Sequence, residues 1–229
     1  VPVKEQCMEY KHRKIREIVE RELSYTAHDL AHTERVLNLS LTLAQEEKNV
    51  DLDILIPAVL LHDIARAQED QDCTGQIDHA LVGAEMAEGI LQELNFEASA
   101  IARIKECIKS HRFRSSYPLQ TIEAKILFDA DKIDALGAIG IARSFMLAGE
   151  HGEVMYSDRD LAEYIRENVG ENGRIIDVSK HASNLEFELK LKKIPERLYT
   201  ERARAIVKRR VDLMADFFQF LKAEINGER

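Results

Sequence analysis

The chain has 229 residues, of which 45% are hydrophobic and 32% are charged, a composition typical of a globular protein with a sizeable core. Its formal net charge of −9 argues against electrostatically driven binding to nucleic acid or to an anionic membrane. No apolar stretch reaches the length that a membrane span needs. Three widely scattered cysteines fit reduced thiols better than a disulfide framework, so we expect a cytoplasmic protein.

Helical periodicity dominates the chain, and no segment alternates for long as a half-buried strand does. The predicted helices cover, in chain order, residues 4–24, 28–48, 51–66, 78–94, 97–110 and 121–134. Asp51 is suited to cap the third of these helices, whereas Pro57 inside it predicts a bend or a late start. The small residues of segment 136–142 would allow a close helix crossing.

Two segments lack this periodicity. Segment 68–76 is polar and acidic, and segment 149–183 is rich in Gly, Asn and Asp, with one short predicted helix over 158–168. Loops as long as segment 149–183 are usually functional or disordered in compact domains. We predict an all-α protein with one domain over residues 1–229, made of a core over 25–145, an irregular excursion over 149–183 and additional C-terminal helices over 187–225.

The most informative feature is the pair His62 and Asp63, which follows the apolar run 54–61. Burying an unpaired carboxylate is costly, and a metal ion relieves that cost because it takes imidazole nitrogen and carboxylate oxygen side by side. Adjacent residues on a helix point about 100° apart, so these two reach one ion only from the helix end or from opposite sides of it. His32 upstream and Asp131 downstream supply further candidate ligands on other predicted helices.

This candidate ligand set has a definite chemical preference. Two imidazoles and two carboxylates suit Mn, Ni, Fe, Co or Zn with open positions for water and substrate, and they do not form a closed thiolate site. Taken singly, His32 is typical of an ordinary half-buried histidine and Asp131 of a solvated aspartate. The hypothesis of a metal site therefore depends on the convergence of all four side chains.

The order of a histidine, a His-Asp pair and a lone aspartate resembles the HD-domain superfamily of metal-dependent phosphohydrolases. Segments 28–36, 60–64 and 125–143 are similar to its YedJ/YpgQ-like subfamily, as is the pattern over 187–193 followed by Thr200 and Glu201. The resemblance covers most of the chain and implies an all-α HD-domain helical bundle. It also implies hydrolysis of nucleoside triphosphates to monophosphate and pyrophosphate, with one divalent metal per chain held by His32, His62, Asp63 and Asp131.

Further residues are candidates for the chemistry around this metal. His111 ends a predicted helix before a basic segment, so it is a candidate catalytic residue and phosphate contact, although a solvated helix end favours cations as well. Arg35 and Lys132 lie beside motif residues and are predicted to bind substrate phosphates, in competition with ordinary surface salt bridges. Asp63, or an acidic residue of segment 68–78, is the predicted base for the attacking water.

The number of metals and the reaction stay open at this point. His79 is a candidate ligand of a second metal, because some HD proteins hold two, but it also fits the first position of an amphipathic helix. A nucleotide phosphatase or phosphodiesterase would use the same residues, and an HD-type di-iron oxygenase would need both His79 and His111 as ligands. A non-catalytic binding domain would have no need of an open metal position. The predicted partners are a small nucleotide and, as a candidate, a second copy of the chain.

Overall fold

The protein is described here from a computed structural model that covers residues 10–23, 30–72, 74, 76–112, 117–170 and 173–228. Its α-helices are α1 (Tyr10–Glu22), α2 (Leu30–Ala44), α3 (Leu52–Leu61), α4 (Arg66–Gln71), α5 (His79–Glu93), α6 (Ala98–Ser110), α7 (Ile122–Asp134), α8 (Gly137–His151), α9 (Leu161–Asn168), α10 (Ser183–Leu189) and α11 (Glu201–Ile225). The 3-10 helices are Val178–Lys180 and Leu191–Arg197. Across these residues the β-type pairing is confined to two isolated bridges, which confirms the all-α prediction.

The chain divides into two compact units, Val1–Asp131 and Lys132–Arg229. The division falls inside α7, so it does not coincide with a linker. None of the described helices combines the length and the hydropathy that crossing a bilayer requires. The predicted first residues of the first two helices, residues 4 and 28, lie outside the described residues.

Helix α3 is the centre of the first unit. All the residues from 54 to 61 are buried, and α1, α2 and α6 pack against them. The carboxylate of Asp51 caps the helix by accepting a hydrogen bond from the backbone N–H of Asp53 at 3.1 Å. The predicted late start is wrong, since α3 begins at Leu52. Pro57 lies inside α3, where it removes the backbone hydrogen bond to the carbonyl of Asp53.

Segment 68–76 is more ordered than the sequence predicts. No residue of α4 is buried, so no apolar periodicity marks this helix. Arg66 and Glu69, which form an ion pair one turn apart, support it. Beyond α4, the carboxylate of Asp72 accepts hydrogen bonds from the Thr74 side chain and from three backbone N–H groups within residues 74–77. These hydrogen bonds lower the pKa of Asp72 to about 2.

In the second unit, α11 packs against α8, and both contribute to a cluster of phenyl rings. The Arg210 guanidinium of α11 donates to the backbone carbonyls of Ile133, at 2.8 Å, and Leu136. Gly137 has φ +76°, and a Cβ at this position would lie 2.9 Å from the Arg210 side chain. Glycine is therefore required where α8 begins, both for its backbone conformation and for the close approach of α11.

The excursion over 149–183 contains α9 where a short helix is predicted. A chain of buried hydrogen bonds joins α9 to the end of this segment. The amide of Asn168 donates to the Tyr164 hydroxyl at 2.9 Å, which leaves the proton of that hydroxyl for Nδ1 of His181 at 2.8 Å. Nε2 of His181 then faces the Glu186 carboxylate at 3.4 Å. Burial opposes ionisation of Glu186, but hydrogen bonds from His181 and Lys190 outweigh it and lower its pKa to about 2.

Candidate metal centre

The His62 and Asp63 pair lies at a helix end, as one of the two predicted arrangements requires. Helix α3 ends at Leu61, and His62 is its C-terminal cap residue. The Nδ1–H of His62 donates to the carbonyl of Val59 at 2.7 Å, because a carbonyl can only accept. In the neutral ring, Nε2 therefore carries a lone pair. Within the described residues this Nε2 is buried without a hydrogen-bond partner.

The structure places the ligand atoms of His32, His62 and Asp63 within 4.8 Å of one another, and Asp131 lies beside His32. Nε2 of His32 lies 3.7 Å from Oδ2 of Asp63 and 3.5 Å from Oδ1 of Asp131. Nε2 of His62 lies 3.6 Å from the same Oδ2 of Asp63. Ligand atoms that each lie roughly 2.0–2.2 Å from one ion are separated by about 3.0–3.6 Å, depending on the angle between them. The spacing of these atoms and the lone pair on His62 therefore fit a divalent metal ion.

A second group uses the other oxygen of Asp63. Oδ1 of Asp63 lies 3.4 Å from Nε2 of His79 and 3.6 Å from Nε2 of His111, and the two Nε2 atoms are 3.3 Å apart. His79 begins α5 and His111 caps the end of α6, so the packing of these two helices places both rings beside Asp63. All three side chains are buried. Asp63 thus has each carboxylate oxygen directed at a different pair of imidazoles.

Hydrogen bonds also fix how these two rings are oriented. Nδ1 of His79 donates to the carboxylate of Glu69 at 2.6 Å, and Nδ1 of His111 donates to the carbonyl of Ile108 at 2.6 Å. With both Nδ1 atoms donating, each neutral ring directs a lone pair from Nε2 toward the other. Two such lone pairs beside a carboxylate are suited to ligate a metal ion, and the ligand atoms of Asp63, His79 and His111 lie within 4.8 Å of one another.

Burial favours the neutral form of His62 and His79, which is the form that binds metals. It lowers the pKa of His62 from 6.5 to about 4, although the Asp63 carboxylate acts in the opposite direction. Burial also lowers the pKa of His79, again against the effect of Asp63. Because a protonated imidazole cannot ligate a metal, the site is ready to bind one at neutral pH.

Glu69 is a residue of the site that sequence reasoning did not single out. Besides His79, its carboxylate contacts the guanidinium groups of Arg66 and Arg112, each at 2.8 Å. Arg112 also binds the carboxylate of Asp78 at 2.8 Å, although the sequence suggested a solvated basic face. Glu69 follows the His-Asp pair on a short exposed helix without periodicity, so only its ion-pair spacing from Arg66 signals a structural role.

The two predicted phosphate-binding cations are adjacent to ligand positions along the chain. Arg35 follows His32 by three residues on α2 and is half-buried. Lys132 follows Asp131 directly on α7 and is half-buried as well. Neither position decides whether the side chain meets a substrate, so their role stays a prediction.

The chain is similar in sequence and in structure to known proteins. The HD domain family matches residues 29–136, a range that contains Asp63 and the five side chains described around it. Over 209 residues the chain is 27% identical to YpgQ of Bacillus subtilis (strain 168), covering 88% of this chain and 86% of YpgQ. The crystal structure of YpgQ in complex with ADP matches with a TM-score of 0.70 and 26% identity, covering 94% of this chain and 98% of that chain.

Two further solved structures are relatives over almost the full length. A predicted HD superfamily hydrolase from an uncultured Thermotogales bacterium is 32% identical, with a TM-score of 0.61 and coverage of 93% of this chain and 91% of that one. An HD-superfamily hydrolase from Bacillus thuringiensis is 27% identical, with a TM-score of 0.69 and coverage of 94% and 97%. Together with the family match, this similarity shows that the chain belongs to the HD superfamily of hydrolases.

Proposed function

We propose that this hydrolase cleaves nucleoside triphosphates between the α- and β-phosphates, with one divalent transition metal per chain held by His32, His62, Asp63 and Asp131. The observation that carries the proposal is the lone pair on Nε2 of His62, which is buried without a hydrogen-bond partner in the described part of the chain and lies 3.6 Å from the Asp63 carboxylate. The binding of ADP by the relative YpgQ supports a nucleotide as the substrate. The neutral imidazoles and carboxylates favour Mn, Ni, Fe, Co or Zn.

The proposed reaction consumes one water and releases two products. The water oxygen forms a bond to the α-phosphorus, the bond from that phosphorus to the bridging oxygen breaks, and pyrophosphate leaves with the electron pair. When bound, the metal would lower the pKa of a coordinated water and polarise a phosphoryl oxygen. The carboxylate of Asp63 is the proposed acceptor of the proton that the water loses.

His111 is the proposed phosphate contact and proton donor of this one-metal reaction, and His79 lies beside it. The Nε2 atoms of the two rings lie 3.4–3.6 Å from Oδ1 of Asp63 and 3.3 Å from each other. A proton on Nε2 of His111 would be donated to a phosphoryl oxygen as negative charge develops on it. Arg35 and Lys132 are the proposed partners of the remaining phosphate oxygens.

The decisive experiment is a nucleotide panel incubated with Mn-loaded protein, with pyrophosphate and orthophosphate measured in parallel. We expect pyrophosphate in equal amount to the nucleoside monophosphate and no orthophosphate from triphosphates. Orthophosphate released from monophosphates would contradict the proposal and identify a phosphatase. Hydrolysis of cyclic nucleotides alone would identify a phosphodiesterase.

Substitutions separate the metal ligands from the residues that only meet substrate. His62→Ala should remove both metal and activity while the circular dichroism stays helical, because the apolar residues of α3 remain. His111→Ala should retain the metal and lower the rate on the order of 10²-fold, as expected for one lost donor to the transition state. His151 is exposed at the end of α8, so His151→Ala is the matched control and should change neither property.

A second candidate function follows from the group of Asp63, His79 and His111, whose ligand atoms lie within 4.8 Å of one another. If a second metal were bound, Asp63, His79 and His111 would be the residues that hold it, and the site would fit an HD-type di-iron oxygenase. His79→Ala distinguishes the two functions. In the one-metal hydrolase it leaves the metal content at one per chain, whereas in the oxygenase it lowers a wild-type content of two, and turnover depends on oxygen.

A further inference from the structure

Two side chains compete for the Nδ1 atom of His79. This atom lies 2.6 Å from Oε2 of Glu69 and 3.2 Å from Nη1 of Arg66. A carboxylate only accepts a hydrogen bond and a guanidinium only donates one, so the ring carries its proton on Nδ1 for the first contact and on Nε2 for the second. The contact with Glu69 is the shorter one and is charge-assisted. The position of the Glu69 carboxylate therefore decides the tautomer of the neutral His79 ring.

The tautomer of His79 in turn decides what its Nε2 presents to the candidate metal centre. With the proton on Nδ1, Nε2 has a lone pair at 3.4 Å from Oδ1 of Asp63 and at 3.3 Å from Nε2 of His111. The other tautomer would place a proton on Nε2 and direct it at the Asp63 carboxylate. Asp63 is the proposed acceptor of the proton that the water loses, and a carboxylate that already accepts a hydrogen bond is a weaker base. The Nδ1–H tautomer therefore suits the proposed reaction.

The helix that carries Glu69 does little to fix its side chain, because α4 has six residues and none of them is buried. Arg112 supplies the missing restraint. Its Nη2 lies 2.8 Å from Oε1 of Glu69, and its Nη1 lies 2.8 Å from Oδ2 of Asp78. The other oxygen of Asp78 caps α5 by accepting from the backbone N–H of Ala80 at 2.9 Å. One guanidinium thus joins Glu69 to the residue that directly precedes His79.

The contacts of Arg112 favour a role in holding the site over a role in binding substrate. A guanidinium that bridges two carboxylates at 2.8 Å has its charge compensated, whereas a substrate phosphate needs a cation without such partners. Burial opposes ionisation of Asp78, but the hydrogen bond from Arg112 outweighs it and lowers the pKa of that carboxyl. The planar fork of arginine reaches two acceptors at once, which a single ammonium group does less well.

We propose that Arg112 is a positioning residue for His79. Its guanidinium holds the Glu69 carboxylate against Nδ1 and thereby selects the tautomer whose Nε2 lone pair faces the candidate metal centre. Loss of Arg112 would release one oxygen of Glu69, and Arg66 would then compete for Nδ1 from 3.2 Å. The effect on the tautomer stands by itself, whereas the effect on the rate rests on the proposed hydrolysis.

Nitrogen NMR of the full-length protein with isotope-labelled histidine tests the tautomer directly. The spectra are recorded on chelator-treated protein at about pH 8, well above the ordinary pKa of histidine, and His79→Ala assigns the signals. The wild type should have a protonated Nδ1 and an unprotonated Nε2 at His79. Arg112→Gln should shift the equilibrium on the order of 10-fold toward the Nε2–H form, the size expected for one weakened charge-assisted hydrogen bond.

Arg103→Gln is the matched control. Arg103 lies on α6, and its guanidinium likewise bridges two carboxylates, those of Asp51 at 2.7 Å and Glu123 at 3.3 Å. This substitution should leave the tautomer of His79 unchanged. An unchanged tautomer in Arg112→Gln, or an equal shift in Arg103→Gln, would overturn the proposal.

Steady-state kinetics of the Mn-loaded protein separate positioning from substrate binding. Arg112→Gln should lower kcat on the order of 10-fold with KM unchanged, and Arg112→Lys should not restore kcat, because an ammonium lacks the planar fork. In a Glu69→Gln background, Arg112→Gln should cause no further decrease, because it acts through Glu69. A raised KM at unchanged kcat, or additive decreases in the double variant, would contradict the positioning role. If the wild type hydrolyses no nucleotide, the proposed function fails, and the NMR result alone decides this inference.

Discussion

Acidification should destabilise the metal-free protein through His62. Burial lowers the pKa of this imidazole from 6.5 to about 4, against the opposing effect of Asp63. The His62 imidazole therefore takes up a proton below about pH 6.5 in the unfolded chain, whereas in the folded protein it stays neutral until the pH approaches 4. This contribution to stability is fully present above pH 6.5 and is lost as the pH falls toward 4. It amounts to about 3 kcal/mol, because each pKa unit corresponds to about 1.4 kcal/mol.

The assay is urea unfolding followed by circular dichroism, on chelator-treated protein, at a series of pH values between 7 and 4. His62→Ala is less stable at every pH because it leaves a cavity. The quantity to compare is therefore the decrease in the free energy of unfolding between the highest and the lowest pH of the series. The variant should lose about 3 kcal/mol less than the wild type. His151→Ala, which changes an exposed histidine, should follow the wild type. Equal losses in His62→Ala and wild type would refute the conclusion that burial holds His62 neutral.

Three further predictions concern single side chains. Asp63→Asn should abolish metal binding and hydrolysis with unchanged helicity, because a neutral amide lacks the charged carboxylate oxygen that would ligate the ion; Asp53→Asn, at an exposed carboxylate of α3, is its matched control. Glu69→Gln should lower the hydrolysis rate about 10-fold with the metal retained, because His79 loses its charged partner, and steady-state kinetics measure this. Burial raises the pKa of the Cys107 thiol from 9.0 to about 12. In a background without the other cysteines, it should therefore react with a thiol reagent on the order of 10³-fold more slowly than an ordinary cysteine until the chain unfolds.

Much of the first unit could be predicted because helix caps and apolar periodicity are local features of the sequence. The caps Asp51 and Asp78 lie where acidic residues precede apolar periodicity. Helices α5 and α6 match their predicted bounds to within one residue, whereas α3 ends at Leu61 and not at residue 66. The short helix α4 escaped prediction because none of its residues is buried, so its order comes from ion pairs and from the Asp72 loop. Periodicity reports only the burial of a helix face.

The spacing of residues in the sequence could not predict that each carboxylate oxygen of Asp63 faces its own pair of imidazoles. His79 occupies the first position of α5 and His111 the end of α6, and only the packing of these helices brings the rings within 3.3 Å of each other. Likewise, the tautomers depend on the carbonyl of Ile108 and on the Glu69 carboxylate, which are tertiary or end-of-helix contacts. A sequence pattern can predict candidate ligands. Only the folded structure determines which carboxylate oxygen each ligand faces.

The burial of residues 54–61 in α3 bears on how the proposed metal site would bind an ion. A helix that is enclosed on all sides, as residues 54–61 are, belongs to the part of a domain whose backbone amides exchange with solvent most slowly. His62 and Asp63 follow directly on this helix, so the scaffold that presents them is already ordered before any ion arrives. Binding then requires little loss of chain entropy, and the free energy of coordination is available for affinity and selectivity among metals rather than for folding.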